Sequence, residues 1–221
     1  MTRDYRLVVF DWDGTVMDSA ARIVACIEGT IADLGLEPRT RDQIRHIIGL
    51  SMGEAIETLY PGHDAAFRQR MVEGYRHHFL VADPTPSAPF AGAGETLAAL
   101  HAAGYLLGVA TGKSRRGLDE VLATTGFGDY FHATRCADEA PSKPHPGMLE
   151  QLLDELDTAP RSTLMVGDTL FDMEMARNAG ADAVAVTYGA HPRERLETAT
   201  PLACLDDIRE LLPWLGHEER P

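Results

Sequence analysis

A chain of 221 residues with 44% hydrophobic side chains is long enough for one medium domain and a smaller companion, each with its own core. Its formal net charge of −14 argues against nucleic acid and anionic membrane as partners, because both are polyanions. No apolar run approaches a membrane span and the polar opening, Met1 to Arg6, does not read as a signal peptide; Cys26, Cys136 and Cys204, far apart, read as reduced thiols of a cytoplasmic protein.

In chain order, Leu7-Val8-Val9-Phe10 comes first, a short apolar run of the kind that forms a central parallel strand buried on both faces. It leads straight into Asp11-Trp12-Asp13-Gly14-Thr15. Two carboxylates one residue apart at a strand end are costly and require a reason. A calcium loop is one reading of Asp-x-Asp-Gly. Such a loop needs oxygen ligands at further spaced positions and a closing glutamate, whereas Thr15 and Val16 follow here and a strand precedes.

About seventy residues then read as helix only. Residues 19–34 carry Ile23, Val24, Ile27, Ile31 and Leu34 on one stripe, ended by Gly35. Thr40-Arg41-Asp42-Gln43 and Ser51-Met52-Gly53-Glu54 fit the capping-box pattern, and Phe67, Met71, Tyr75 and Phe79 mark a further helix. Residues 81–94 hold Pro84, Pro86, Pro89, Gly92 and Gly94, the composition of a linker. Beyond it the pattern alternates: helix 95–103, strand 105–110, helix 115–124, strand 132–136, helix 147–156, strand 163–166, helix 173–179, strand 183–186 and a closing helix 206–215. This alternation predicts an α/β fold, a doubly wound parallel sheet with helices on both faces. The expected division is an α/β core from residues 1–16 and 91–221 and an all-helical domain from residues 17–90.

Open α/β sheets bind ligands at the carboxyl ends of their strands. The second core strand ends in Thr111-Gly112-Lys113-Ser114, which offers a hydroxyl and an unobstructed backbone N–H. The loop after the third holds Ser142-Lys143-Pro144-His145-Pro146, and the fourth ends in Gly167-Asp168, with Asp172 four residues further on. Lys113 and Lys143 are the only lysines among 20 basic residues, and both fall beside these motifs, as expected where a compact ammonium is needed, against the alternative of two lysines left over in an arginine-biased composition. Four carboxylates would thus share one edge. Two unit charges about 4 Å apart repel by about 4 kcal/mol at an effective dielectric of 20, so a cation is required, and all-oxygen ligation without His or Cys suits Mg²⁺.

Taken in order, Asp11-x-Asp13-Gly14-Thr15, Thr111, Lys143 and Gly167-Asp168-x-x-x-Asp172 resemble the four motifs of the haloacid dehalogenase superfamily. The helical insert is similar to that superfamily's helical cap. The phosphoglycolate phosphatase-like branch is the nearest in look, through Pro89-Phe90-Ala91-Gly92 and the run from Asp168 to Gly180. The resemblance implies a Rossmann-like core and Mg²⁺-dependent hydrolysis of a small phosphorylated metabolite, phosphoglycolate-like, through an aspartyl-phosphate. It makes Asp11 the nucleophile and Asp13 the general acid and base. Thr111, Gly112 and Lys143 would hold the phosphoryl oxygens; Asp11, the backbone carbonyl of Asp13, Asp168 and Asp172, directly or through water, would hold the metal. The second acid argues for phosphoryl transfer over dehalogenation, and the absence of lysine from residues 17–92 argues against Schiff-base phosphonate cleavage.

A phosphosugar mutase of the β-phosphoglucomutase kind is the alternative. A receiver-like module that binds phosphate and Mg²⁺ without catalysis is a third reading, but receivers lack the helical insert and the second acid. Arg45, in the segment 45–51, is the candidate for binding a substrate carboxylate, against the alternative of a solvated helix charge. The partner expected is a small-molecule substrate, and the chain a monomer or homodimer.

Overall fold

In the computed structural model, which describes residues 4–217, eight strands follow in chain order. They are β1 (Leu7–Phe10), β2 (Met17–Asp18), β3 (Ala88–Pro89), β4 (Leu106–Thr111), β5 (Ala133–Cys136), β6 (Thr163–Gly167), β7 (Asp182–Val186) and β8 (Cys204–Leu205). Six of them form one parallel sheet in the order β5-β4-β1-β6-β7-β8, and β2 and β3 form an antiparallel ribbon. The apolar run at the start of the chain therefore lies at the sheet centre, with Phe10 opposite Val109 on one side and Val166 on the other.

The helices are α1 (Ala20–Asp33), α2 (Arg41–His46), α3 (Met52–Leu59), α4 (Ala65–His77), α5 (Ala93–Ala102), α6 (Arg115–Thr125), α7 (Gly147–Glu155) and α8 (Leu170–Ala179). Successive side chains of a strand point to opposite faces, so β1 serves two layers at once. Val8 and Phe10 pack with Leu97 and Leu100 of α5 and Leu118 of α6, while Leu7 and Val9 pack with Leu149 and Leu152 of α7 and Met175 of α8. All four β1 side chains are buried, which is why the run carries no polar residue.

Helices α1 to α4 lie between the two strands of the ribbon in sequence and close around an apolar centre of their own. Ile23, Ile27 and Ile31 of α1 meet Ile44 of α2, Ile56 of α3, and Phe67 and Met71 of α4. Each such buried side chain contributes about 1.5–3 kcal/mol by leaving water. Thr40 opens α2 with a full capping box to Gln43, and Ser51 opens α3 by accepting the Glu54 N–H. A π-helical turn, His78–Ala82, follows α4. No described helix is long and apolar enough to cross a membrane.

The elements differ from expectation in three places. Helix α8 begins at Leu170, ahead of the expected start, because the Asp172 carboxylate accepts the Thr169 N–H and hydroxyl and caps its first turn. The closing helix is broken: Asp207 accepts the Arg209 N–H and holds Ile208–Glu210 as a 3₁₀ turn before a short helix, Leu211–Trp214. Strands β2, β3 and β8 are two residues each, too short to show a period in sequence, and exist only through their partners.

Candidate active site

The site grows from the carboxyl edge of β1 and its two neighbours. The Asp11 N–H donates to the Val166 carbonyl at 2.9 Å, which carries the sheet pairing one residue beyond β1 and fixes Asp11 at the edge. Its Oδ1 accepts from Lys143 Nζ at 2.6 Å, and its Oδ2 is buried with no partner. Lys143, 0% exposed, also donates to Asp172 Oδ1 at 2.6 Å. The other Asp172 oxygen accepts from the Thr169 backbone N–H at 3.1 Å and hydroxyl at 2.7 Å. The acid that starts α8 is thus both a helix cap and an ion-pair partner.

Asp168 is gripped from two sides. Thr15 donates its hydroxyl to Oδ1 at 2.9 Å, and the Ala190 N–H donates to Oδ2 at 2.6 Å. The backbone presses so closely here that a Cβ at Gly14, whose φ is +89°, or at Gly189 would overlap the Asp168 carboxylate. Only glycine admits both that left-handed conformation and that approach.

Crowding buried charge has the consequence expected. Burial, reinforced by the Asp172 and Asp168 charges against the pull of Lys143, holds the Asp11 carboxyl well above the usual carboxylate range. Burial and Asp172 push Asp168 up to about 7. For Lys143, burial works to discharge the ammonium, but Asp11 and Asp172 outweigh it and raise its pKa above the ordinary value. Ligand oxygens of Asp11, Asp168 and Asp172 lie within 4.8 Å of one another, all on buried residues. A hard cation fits this donor set: three carboxylates without nitrogen or sulfur, one offering a buried oxygen with nothing to bind.

Asp13 lies beside this cluster and is held separately. Ser19 donates to its Oδ1 at 2.7 Å, and Lys113 Nζ lies 2.9 Å from both of its oxygens. The Lys113 ammonium also sits 5.3 Å from the centre of the Phe79 ring, which comes from the helical insert. Thr111, buried at the end of β4, accepts the Lys113 N–H at 3.2 Å, which leaves its own proton to be donated. The insert reaches this edge too, for a Cβ at Gly112 would overlap the carbonyl oxygens of Gly49 and Leu50.

Of the residues singled out in the sequence, the structure brings Asp11, Lys143, Asp168 and Asp172 into one cluster. Asp13 lies next to it, and the sheet register carries Thr111 to the same edge. The guanidinium of Arg45, the candidate for a substrate carboxylate or a solvated helix charge, is bonded to the carbonyl oxygens of Gly189 at 2.7 Å and Ala190 at 3.4 Å. Those bonds tie the insert to the core.

Sequence reasoning quoted Thr15 in the first motif without giving it a role, and missed the bond of Ser19 to Asp13, the partner of Lys113, and the turn at residues 189–191. That turn follows β7, a fifth strand end whose Gly189-Ala190-His191 carries no acid to draw notice. In it, His191 Nδ1 accepts the Leu170 N–H at 3.0 Å, so its Nε2 bears the proton given to the His46 carbonyl at 3.1 Å. Burial, with the Arg195 and His46 charges adding to it against the hydrogen bond to the His46 carbonyl, lowers its pKa to about 4.

The family of haloacid dehalogenase-like hydrolases matches residues 8–186. Probable phosphatase IndB of Dickeya dadantii is 35% identical over 213 residues, which cover 93% of this chain and 91% of that one. A phosphoglycolate phosphatase of Agrobacterium fabrum is 31% identical over 214 residues, covering 95% of this chain and 91% of its own. The crystal structure of a hydrolase from Pseudomonas syringae shares the fold with a TM-score of 0.86, at 23% identity, over 95% of this chain and 97% of that one.

Proposed function

Because the chain belongs to the haloacid dehalogenase-like hydrolase family and is a phosphatase of that family, we propose that Asp11 carries the phosphoryl group of a small phosphomonoester as an aspartyl-phosphate. The observation that carries this reading is the Asp11 carboxylate, turned by Lys143 on one oxygen and unpartnered on the other. One oxygen of the Asp11 carboxylate attacks phosphorus as the bond to the leaving oxygen breaks, the other remaining available to the cation. Asp13, held by Ser19 and Lys113 next to it, gives a proton to the departing oxygen and then takes one from the water that hydrolyses the intermediate. Lys143, the Thr111 hydroxyl and the Gly112 N–H hold the equatorial oxygens and their growing charge.

Mg²⁺ is the cation we assign to Asp11, Asp168 and Asp172, with the Asp13 backbone carbonyl; when bound it would cancel repulsion between the nucleophile and the phosphate. The cluster is buried beneath the insert, which favours a small substrate admitted when residues 17–90 swing away as a unit. A phosphoglycolate-like monoester is the substrate class we favour, on the likeness to the Agrobacterium enzyme.

Hydrolysis of p-nitrophenyl phosphate with Mg²⁺ tests the nucleophile. Asp11→Asn is expected to lower kcat by roughly 10⁶-fold, the scale seen when a covalent nucleophile is removed. Equal activity in the two proteins would remove Asp11 from that role. The metal is tested by thermal unfolding. Without metal, a carboxyl whose pKa rises on folding from 3.8 to about 7 makes the folded state bind more protons, so stability falls as pH rises through that window. Protons and Mg²⁺ compete for Asp168, so the Mg²⁺-induced rise in Tm is expected to be larger at about pH 8 than at about pH 6. At a hundredfold excess over Kd the ion adds about 2.7 kcal/mol. A Tm indifferent to Mg²⁺ and EDTA at both pH values contradicts the assignment.

A further inference from the structure

Arg45 lies in the last turn of α2, in the helical insert, yet its hydrogen bonds are made to the core. Its guanidinium donates to the Gly189 carbonyl at 2.7 Å and the Ala190 carbonyl at 3.4 Å. The same turn bears on Asp168 from its other side. The Ala190 N–H donates to Asp168 Oδ2 at 2.6 Å, and Gly189 lies so close that a Cβ would overlap both that carboxylate and the Gly14 carbonyl. One residue on, the His191 N–H donates to the Asp168 main-chain carbonyl at 3.3 Å, while the His191 ring bridges the Leu170 N–H and the His46 carbonyl. This turn of the core is therefore bonded inward to an acid of the cation cluster through Ala190 and His191, with Gly189 packed against it, and outward to Arg45 and His46, neighbours in the insert.

We propose that Arg45 is a positioning residue for Asp168: docking of the insert through Arg45 sets the turn at residues 189–191, and the turn aims the carboxylate, so that cation affinity depends on insert closure. The inference rests on the reading of Asp11, Asp168 and Asp172 as the Mg²⁺ site. Mg²⁺ demands near-ideal geometry at short distances, so a small displacement of one carboxylate costs affinity. Residues that orient ligands from outside the coordination sphere change metal affinity by about 10–100-fold when removed. Arg45 acts one bond further out, through the turn, which places its effect near the lower end of that range. By linkage the effect is reciprocal, and bound Mg²⁺ favours the docked insert by the same factor. Arg45 then has no free role as the ligand of a substrate carboxylate, and it acts alike on every substrate.

The test is a Mg²⁺ titration of the full chain, free of substrate, by calorimetry and by the Mg²⁺-dependent Tm, for wild type, Arg45→Met, Arg45→Lys and Ser142→Ala. Arg45→Met keeps the apolar stem and is expected to raise the Mg²⁺ Kd by about tenfold. Arg45→Lys, which can restore one of the two carbonyl bonds, is expected to fall between and stands in if the Met variant does not fold. Ser142→Ala breaks a different insert–core bond, from the Ser51 N–H to the Ser142 hydroxyl at 2.8 Å, and is expected to leave the Mg²⁺ Kd within twofold. At saturating Mg²⁺, KM for phosphoglycolate and for p-nitrophenyl phosphate is expected to be unchanged by Arg45→Met.

An Mg²⁺ Kd unmoved in Arg45→Met overturns the relay, as does an equal loss in Ser142→Ala, which would mean general loosening. A rise in KM confined to phosphoglycolate, at unchanged Mg²⁺ affinity, overturns it in favour of a substrate contact. A wild-type chain that binds no Mg²⁺ removes the metal reading and the relay together, whereas tight wild-type binding with an unmoved variant removes the relay alone.

Discussion

At the carboxyl edge of the sheet, Asp11, Lys143, Asp168 and Asp172 are buried together, and the only ammonium among them is shared by two carboxylates. The helical insert is built the other way, around isoleucines, with its polar bonds to the core at its boundary: Arg45 to residues 189–190, Ser51 to Ser142 and His46 to His191. The edge therefore stores unfavourable charge, while the insert stores ordinary apolar stability and meets the edge through a few polar bonds at its boundary.

The comparison breaks if the edge proves no more sensitive than the insert. The largest effect is expected at Lys143. Lys143→Met leaves Asp11 and Asp172 without their cation, and losing one partner of a buried ion pair costs about 3–5 kcal/mol. Urea unfolding in EDTA measures this, and a loss under about 1 kcal/mol would show that the carboxylates there are not carrying charge.

The boundary comes next. A histidine whose folded pKa is lowered, here from 6.5 to about 4, is neutral in the folded protein while the unfolded chain takes up the proton. Its contribution is complete above pH 6.5 and is lost as pH falls toward 4, by roughly 3 kcal/mol over the window. His191→Asn should flatten that part of the stability–pH curve, and an unaltered curve would place the acid sensitivity elsewhere. The smallest effect belongs to the interior of the insert. Ile56→Val removes one buried methylene from its centre and should cost about 0.5–1.5 kcal/mol with kcat/KM unchanged. A fall in kcat/KM at full folding would mean that the insert's interior, and not only its boundary, tunes the site.

Much of the edge was legible in the chain. Leu7 to Phe10 had to be a doubly buried strand, and each acid or lysine that follows a core strand had to emerge at the same edge of a parallel sheet. Lys113 was visible only as a rare residue type beside a motif; that its ammonium holds Asp13 depends on a contact across 100 residues. Asp172 read as a cation ligand, and the structure adds that its second oxygen caps its own helix, a bond that also moves the start of α8. Arg45 read either as a substrate ligand, being a cation on an insert segment taken to face the site, or as a solvated helix charge. Its bonds run to bare carbonyl oxygens, which leave no trace in side-chain identity. The turn at residues 189–191 was invisible for the same reason, since its grip on Asp168 is made by a backbone N–H and by glycine's lack of a side chain.

By itself the sequence determined which chemistry this protein carries: hydrophobic periodicity sets strands and helices locally, and the order of strands sends Asp11, Thr111, Lys143 and Asp168 to one edge whatever the details of packing. Tertiary structure alone decided how those groups are held, that Lys143 is shared between Asp11 and Asp172, that Asp13 is clasped by Lys113 and Ser19, and that the insert docks onto the turn gripping Asp168. All but the Ser19–Asp13 bond join residues 22 to 144 apart, and two of them run through backbone groups common to every amino acid, so no local pattern in the chain can encode them.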